Sequence, residues 1–204
     1  MSEGCSLEKV ATARASAVRQ TAQTAERELL ATISAGSRSA MAEFYFLHFA
    51  RLTKFFVRVT GRVDLVEELI NDTMFDVWRK SATIGWDASV PAWVMGLAYL
   101  HGQMRHKRAE LASPHGLPSP PHAEHGSALT TTSQKPRGPQ DLLLALPFEE
   151  RAVLHLVYSG CHSRQSIAGI MNTSCERVDV LLAQARHRLS CLQKEHERQP
   201  ACLP

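Results

Sequence analysis

Residues 109–140, "AELASPHGLPSPPHAEHGSALTTTSQKPRGPQ", carry six prolines and three glycines among serines and threonines. So few large apolar side chains cannot offset the entropy of ordering the backbone, so the segment reads as a flexible linker. What remains of the 204 residues is one small block on each side. His115, His122 and His125 fall within the linker. Without cysteine partners or a rigid frame they read as solubilising side chains rather than metal ligands.

Both blocks carry a helical period, and neither shows the alternation of strands. In the first, Met41, Phe44, Tyr45, His48, Leu52, Phe55, Phe56 and Val59 step by three and four along one face, which predicts a helix with a buried stripe. His48 lies on that stripe with no nucleophile or paired acid, so it reads as a hydrogen-bonded core residue. A second helix is expected from about Asp64 to Lys80, with Asp64 as its start signal and Glu67 three residues on. Pro91 begins a third, which runs toward Arg105, His106, Lys107 and Arg108. In the second block, Pro147 and Gly160 punctuate further helices. Val178, Leu181, Leu182, Ala185, Leu189 and Leu192 hold the period of the last one. Thr173 or Ser174 caps it, so a short helix, a tight turn and a longer capped helix form a helix-turn-helix.

The five cysteines, at positions 5, 161, 175, 191 and 202, form no CxxC pair, and no long apolar run suggests a signal peptide or membrane span. A cytoplasmic location is the expectation. His187, Cys191 and His196 are turn-spaced but lack further ligands, so no metal is expected. Without a catalytic triad or a Gly-rich phosphate loop, no catalytic residue, cofactor or enzymatic activity is expected either. The formal net charge of +3 permits nucleic-acid contact without requiring it.

Four motifs, in order around the linker, resemble the extracytoplasmic-function (group IV) sigma factors of bacterial RNA polymerase, in the sigma-70 family. "ELLATISAGSRSAMAEFYFLHFARLTKFF" resembles their opening helices and "DLVEELINDTMFDVWRK" their polymerase-clamp helix. "VPAWVMGLA" resembles the family's F-x-A-W-L-x-x-I-A signature. "ALPFEERAVLHLVYSG" with "IAGIMNTSCERVDVLLAQARHRL" resembles region 4. The resemblance runs from about residue 28 to 192. It implies an all-α chain of two small helical domains: an extension at 1–27, a region 2-like bundle at 28–108, the linker at 109–140, a region 4-like helix-turn-helix at 141–192 and a tail at 193–204.

The resemblance further implies that Glu67, Glu68, Asn71 and Asp72 bind core RNA polymerase. It places Trp86, Arg105, Lys107 and Arg108 on the single-stranded minus-ten element, and Ser174, Arg177, Asp179, Arg186 and Arg188 on the minus-thirty-five element. Promoter DNA, core polymerase and an anti-sigma factor are the partners it implies. The chain departs from the family at Ala98, Tyr99, Leu100 and Met104, where a polar A-R-N and a later Asp are usual. It departs again across Val178 to Arg186, where three basic positions are lost and Asp179, acidic, would repel phosphate. A degenerate sigma-like protein that competes for polymerase or titrates an anti-sigma factor is therefore the alternative. Limited proteolysis of the native chain should cut first within residues 109–140; first cleavage inside either helical block would contradict the two-domain reading.

Overall fold

The computed structural model describes residues 21, 23–85, 89–112, 139–159 and 162–198, with 139–140 and 196–198 described in backbone alone. Every regular element among the described residues is helical. Helix α1 covers residues 23–34. Helix α2, Arg38–Thr60, starts where the Ser37 hydroxyl accepts from the Ala40 amide at 3.3 Å. It ends at Gly61, whose φ of 69° is the left-handed closing conformation that glycine adopts without a Cβ clash.

A 3-10 turn at Val63–Leu65 leads into α3, Val66–Lys80. Asp64 lies in that turn and does not cap the helix; its carboxylate instead pairs with the Arg62 guanidinium. A neighbouring arginine offers two charge-assisted donors, and these displace the capping bond that the sequence suggested. Helix α4, Val90–Ala112, has Pro91 in its first turn, as expected. It continues past Arg108, so the basic cluster is not a helix end and residues 109–112 are helical.

The second block holds α5 (Pro139–Leu144), α6 (Phe148–Ser159), α7 (Arg164–Ile170) and α8 (Cys175–Arg198). Ser163 caps α7 by accepting from the Ser166 amide, and Ser174, rather than Thr173, caps α8 by accepting from the Arg177 amide. Asn172, at φ 50°, turns the chain between them. The Thr173 amide returns to the Ala168 carbonyl at 2.9 Å.

The blocks are not separate spheres. One apolar core runs from Leu30 and Ile33 through Phe44, Phe55 and Phe56 to Phe148, Val153, Ile167 and Leu181. Leu146, Leu154 and Ala185 form a smaller cluster within the second block. Two glycines on α4 admit the second block: a Cβ on Gly102 would sit 3.2 Å from the Phe148 ring, and one on Gly96 would sit 3.7 Å from the Ile170 carbonyl oxygen. Phe148, 3% exposed, lies against the rings of Tyr99 and His106, with centroids at 5.7 and 5.2 Å. Burying such a ring contributes roughly 1.5–3 kcal/mol. Farther along the same seam, His155 of α6 meets Phe55 of α2 edge-on at 5.5 Å.

Two buried histidines carry a pH signature. His48, 1% exposed, stands 3.9 Å from Glu26, yet both shifts favour the neutral forms. Burial, helped by Arg51, lowers His48 to about 4, and burial raises the Glu26 carboxyl despite Arg51. Desolvation outweighs their attraction, and neither ring nitrogen of His48 has a hydrogen-bond partner among the described residues, so His48 is a buried core residue without the hydrogen bond that the sequence suggested. His155, 6% exposed, is lowered to about 4 by burial and then by Arg58 and His162. A histidine depressed in the fold leaves stability intact above its unfolded value near 6.5. That stability is lost as pH falls toward 4, at up to about 1.4 kcal/mol per pH unit. Glu26 works in the opposite sense, which leaves His155 as the cleaner probe. Urea unfolding from pH 7.5 to 4.5 should show falling stability, and His155→Phe should flatten the slope. An equal slope in that variant would contradict the account.

Candidate nucleic-acid and partner interfaces

Helix α3 presents its first candidate face because Val66, Leu69, Ile70, Met74 and Val77, with Thr73, turn inward. That leaves Glu67, Glu68, Asn71 and Asp72 together on the exposed side, followed one turn on by Phe75, 60% exposed. Arg79 lies over the Phe75 ring at 5.7 Å. Tyr45 of α2 donates to Asn71 Oδ1 at 3.5 Å, which extends the face toward the exposed rings of Phe46 and Phe49. Acidic and aromatic groups thus share one surface. Phe75 was legible as the next residue on this stripe, but the expectation stopped at Asp72.

Behind the face, Asp76 ties α3 to α4, accepting from Lys80 at 2.9 Å and lying 3.2 Å from His101 Nε2. Burial pushes the Asp76 carboxyl up, but Lys80 and His101 outweigh it and its pKa sits below the usual value. The His101 partner is 25 residues away in the chain and invisible to local pattern.

On α4, Arg105 reaches Glu68 at 3.7 Å, so a residue expected on DNA touches one expected on polymerase. Lys107 and Arg108 are exposed on the same helix. Trp86 lies outside the described residues. Tyr99, at one of the departures from the family pattern, is buried against Phe148, and burial raises its hydroxyl to about 12. Leu100 and Met104 remain half-exposed on the solvent side.

The second candidate face is α8. Ser174 is held as its cap, and each charged side chain expected on DNA has a protein partner: Arg177 meets Glu149 at 3.3 Å, and Asp179 accepts from Arg164 at 2.7 Å. Arg186 donates to the Tyr158 hydroxyl at 3.1 Å and covers its ring. Arg188 reaches Glu150 at 3.3 Å. Asp179 is therefore not a bare repulsive charge; Arg164 neutralises it. The partners come from α6 and α7, 15 to 38 positions upstream by numbering, so no local reading of α8 could have named them.

A groove of about 910 Å³ opens beside the α4–α7 contact, between α4 and the start of α8, lined by Trp93, Tyr99, Leu100, Gln103, Glu149 and Arg177. The capped end of α8 thus faces the first block. Among the described residues no group of three or more His, Cys, Asp or Glu is placed to hold a metal, and no helix is long and apolar enough to cross a membrane.

An all-helical fold in which, among the described residues, a short helix, a tight turn and a longer capped helix are seated on a four-helix block is the class of architecture these observations define. It is shared with solved structures. The sigma factor RpoE, in complex with the anti-sigma factor NepR from Bartonella quintana, is similar at a TM-score of 0.56 and 21% identity, over 75% of this chain and 96% of that one. CnrH, in complex with the cytosolic domain of CnrY, is similar at a TM-score of 0.60 and 20% identity, over 84% and 98%. At that identity the likeness is one of fold. No family model and no curated protein matches the chain.

The Arg188 pair yields a test of what α8's cations do. Glu150 is 3% exposed and its Oε2 has no partner, so Arg188→Ala would strand a buried carboxylate at a cost of about 1–3 kcal/mol. Adding Glu150→Gln should restore most of that loss in a chemical-denaturation cycle. If Arg188→Ala leaves stability unchanged, the pairing seen here is incidental.

Proposed function

We propose that this protein is a sigma factor of bacterial RNA polymerase: a non-enzymatic subunit that binds core polymerase through α3 and directs it to promoter DNA through α4 and α8. The observation that carries this reading is the joint presence, in one fold shared with a sigma factor, of an exposed acidic stripe on α3 and a capped helix that follows a short helix and a tight turn. Glu67, Glu68 and Asp72 would meet basic residues on the polymerase and steer association. Asn71 and Phe75 would supply the polar and apolar contacts between them.

Lys107 and Arg108, solvent-facing on α4, suit phosphates of the opened strand, with Arg105 alongside. Trp86 is retained as the stacking residue for a base. On α8, Arg177 is the reader of a base edge, and Ser174 with Arg186 and Arg188 positions the helix once their internal partners yield. Because Arg177 faces α4 across the groove, promoter reading requires the blocks to part. An anti-sigma partner would favour the packed arrangement by laying an amphipathic segment in that groove, a reading supported by the likeness to a sigma factor solved with its anti-sigma factor.

The pairing of α8's charges favours one alternative. If those pairs persist in solution, the helix offers DNA little net charge, and the chain would act by occupying polymerase or an anti-sigma factor without reading a promoter.

Run-off transcription with purified core polymerase and genomic fragments separates the two. A sigma factor yields discrete transcripts, and reversing Glu68 and Asp72 together to Lys and Arg should weaken core binding at least tenfold and abolish them. Core binding without transcripts selects the competitor. Core binding untouched by the double reversal removes α3 from the interface.

A further inference from the structure

We propose that the cleft between α2 and α6 binds a small phosphate-bearing anion across the two blocks, held by Arg58 from one side and by Arg151, His155, Tyr158 and Ser159 from the other. Those five polar residues line one cavity of about 160 Å³, whose remaining wall is the apolar side chains of Leu143, Leu154 and Leu189. A smaller adjoining cavity of about 40 Å³ shares His155 and Ser159 and adds Arg51, Lys54 and His162.

The cationic character of the cleft follows from helix spacing. Arg51, Lys54 and Arg58 fall on one face of α2 at intervals of three and four, and Arg151, His155 and Ser159 fall on the facing side of α6 at intervals of four. Among the described residues, no Asp or Glu forms a salt bridge with Arg58, Lys54 or Arg151; the acid that Arg51 acts on is Glu26, in α1. This contrasts with α8, where Arg177 and Arg188 are each paired with a carboxylate.

Two buried nitrogens inside the cleft also lack partners among the described residues. His155 is 94% buried by its 6% exposure, and its Nδ1 has no hydrogen bond. Arg151 gives Nη1 to the Leu144 carbonyl at 3.1 Å, while its buried Nε has no partner. Buried polar groups are ordinarily satisfied, and here an acceptor in the cleft would satisfy the Arg151 Nε–H and, in its Nδ1–H tautomer, His155. Burial lowers Arg151, and burial with Arg58 and His162 lowers His155; a bound anion would reverse both effects.

The polar side of the lining suits phosphate. Guanidinium groups bind phosphate oxygens with two parallel donors, and two of them with an imidazole and two hydroxyls can satisfy more oxygens than a carboxylate offers. Arg186, bonded to the Tyr158 hydroxyl, adds a further cation at the rim. The cavity suits one or two phosphoryl groups and is too small for a nucleic-acid strand. Inorganic phosphate, pyrophosphate and the polyphosphate tail of a nucleotide share this chemistry.

Thermal unfolding and calorimetric titration of the full chain, at constant ionic strength in phosphate-free buffer, test the site without polymerase. Pyrophosphate should bind saturably and raise the melting temperature, inorganic phosphate more weakly; a nucleoside triphosphate that exceeds pyrophosphate would assign the nucleotide tail. Arg58→Gln, at an exposed position, should weaken binding at least tenfold, and Ser159→Ala and Lys54→Gln should each weaken it severalfold, whereas Arg38→Gln should leave it unchanged. Equal responses in wild type and all three cleft variants would overturn the proposal. So would a stronger response to succinate than to pyrophosphate, or no heat of binding at millimolar pyrophosphate.

Discussion

Phe148 enters the first block at the place where Gly102 withholds a side chain, and the joint core forms around that entry. The ring opens α6, immediately after Pro147, and lies among Tyr99, Gly102, His106 and Phe56. Because α6 also carries His155 onto Phe55, seating Phe148 places the rest of the helix along α2. Helices α7 and α8 then fall beside α4, with Gly96 allowing the backbone near Ile170 to approach. Interiors are packed to crystal density, so a methylene added at this seam would have to be absorbed by displacing a helix.

That arrangement sets the electrostatics of the molecule. The acidic face of α3 points away from the seam and remains open to a partner. The cations of α8 point back toward α6, where Glu149, Glu150 and Tyr158 engage them, and its Asp179 is engaged by Arg164 of α7. Arg177 and Arg164 are in half-exposed pairs, which contribute little to stability and can be exchanged for phosphate at small cost. Arg188 is different, since its partner is buried and would be left uncompensated. The two faces therefore differ in readiness: one is presented, the other engaged within the fold.

Much of the architecture was legible because helices announce themselves locally. The stripe from Phe44 to Val59 and the Asn-Thr-Ser turn before Cys175 depend on residues within a few positions of one another, and the structure bears out both. Of the site, the family resemblance singled out Glu67, Glu68, Asn71 and Asp72, which share one open face. Local pattern could not supply partners distant in the chain. Asp179 read as a repulsive charge because Arg164 lies on another helix, and Tyr99 read as a lost polar contact because Phe148 lies beyond the linker. Asp64 misled for a shorter-range reason, since a helix-start carboxylate and an arginine partner two residues back compete for the same oxygens.

Differential scanning calorimetry of the intact chain addresses the central claim, that the two blocks share one core. A common core predicts a single transition whose calorimetric and van't Hoff enthalpies agree. Two resolved transitions, or a van't Hoff enthalpy well below the calorimetric one, would show that the blocks unfold independently and that the seam at Phe148 does not couple them.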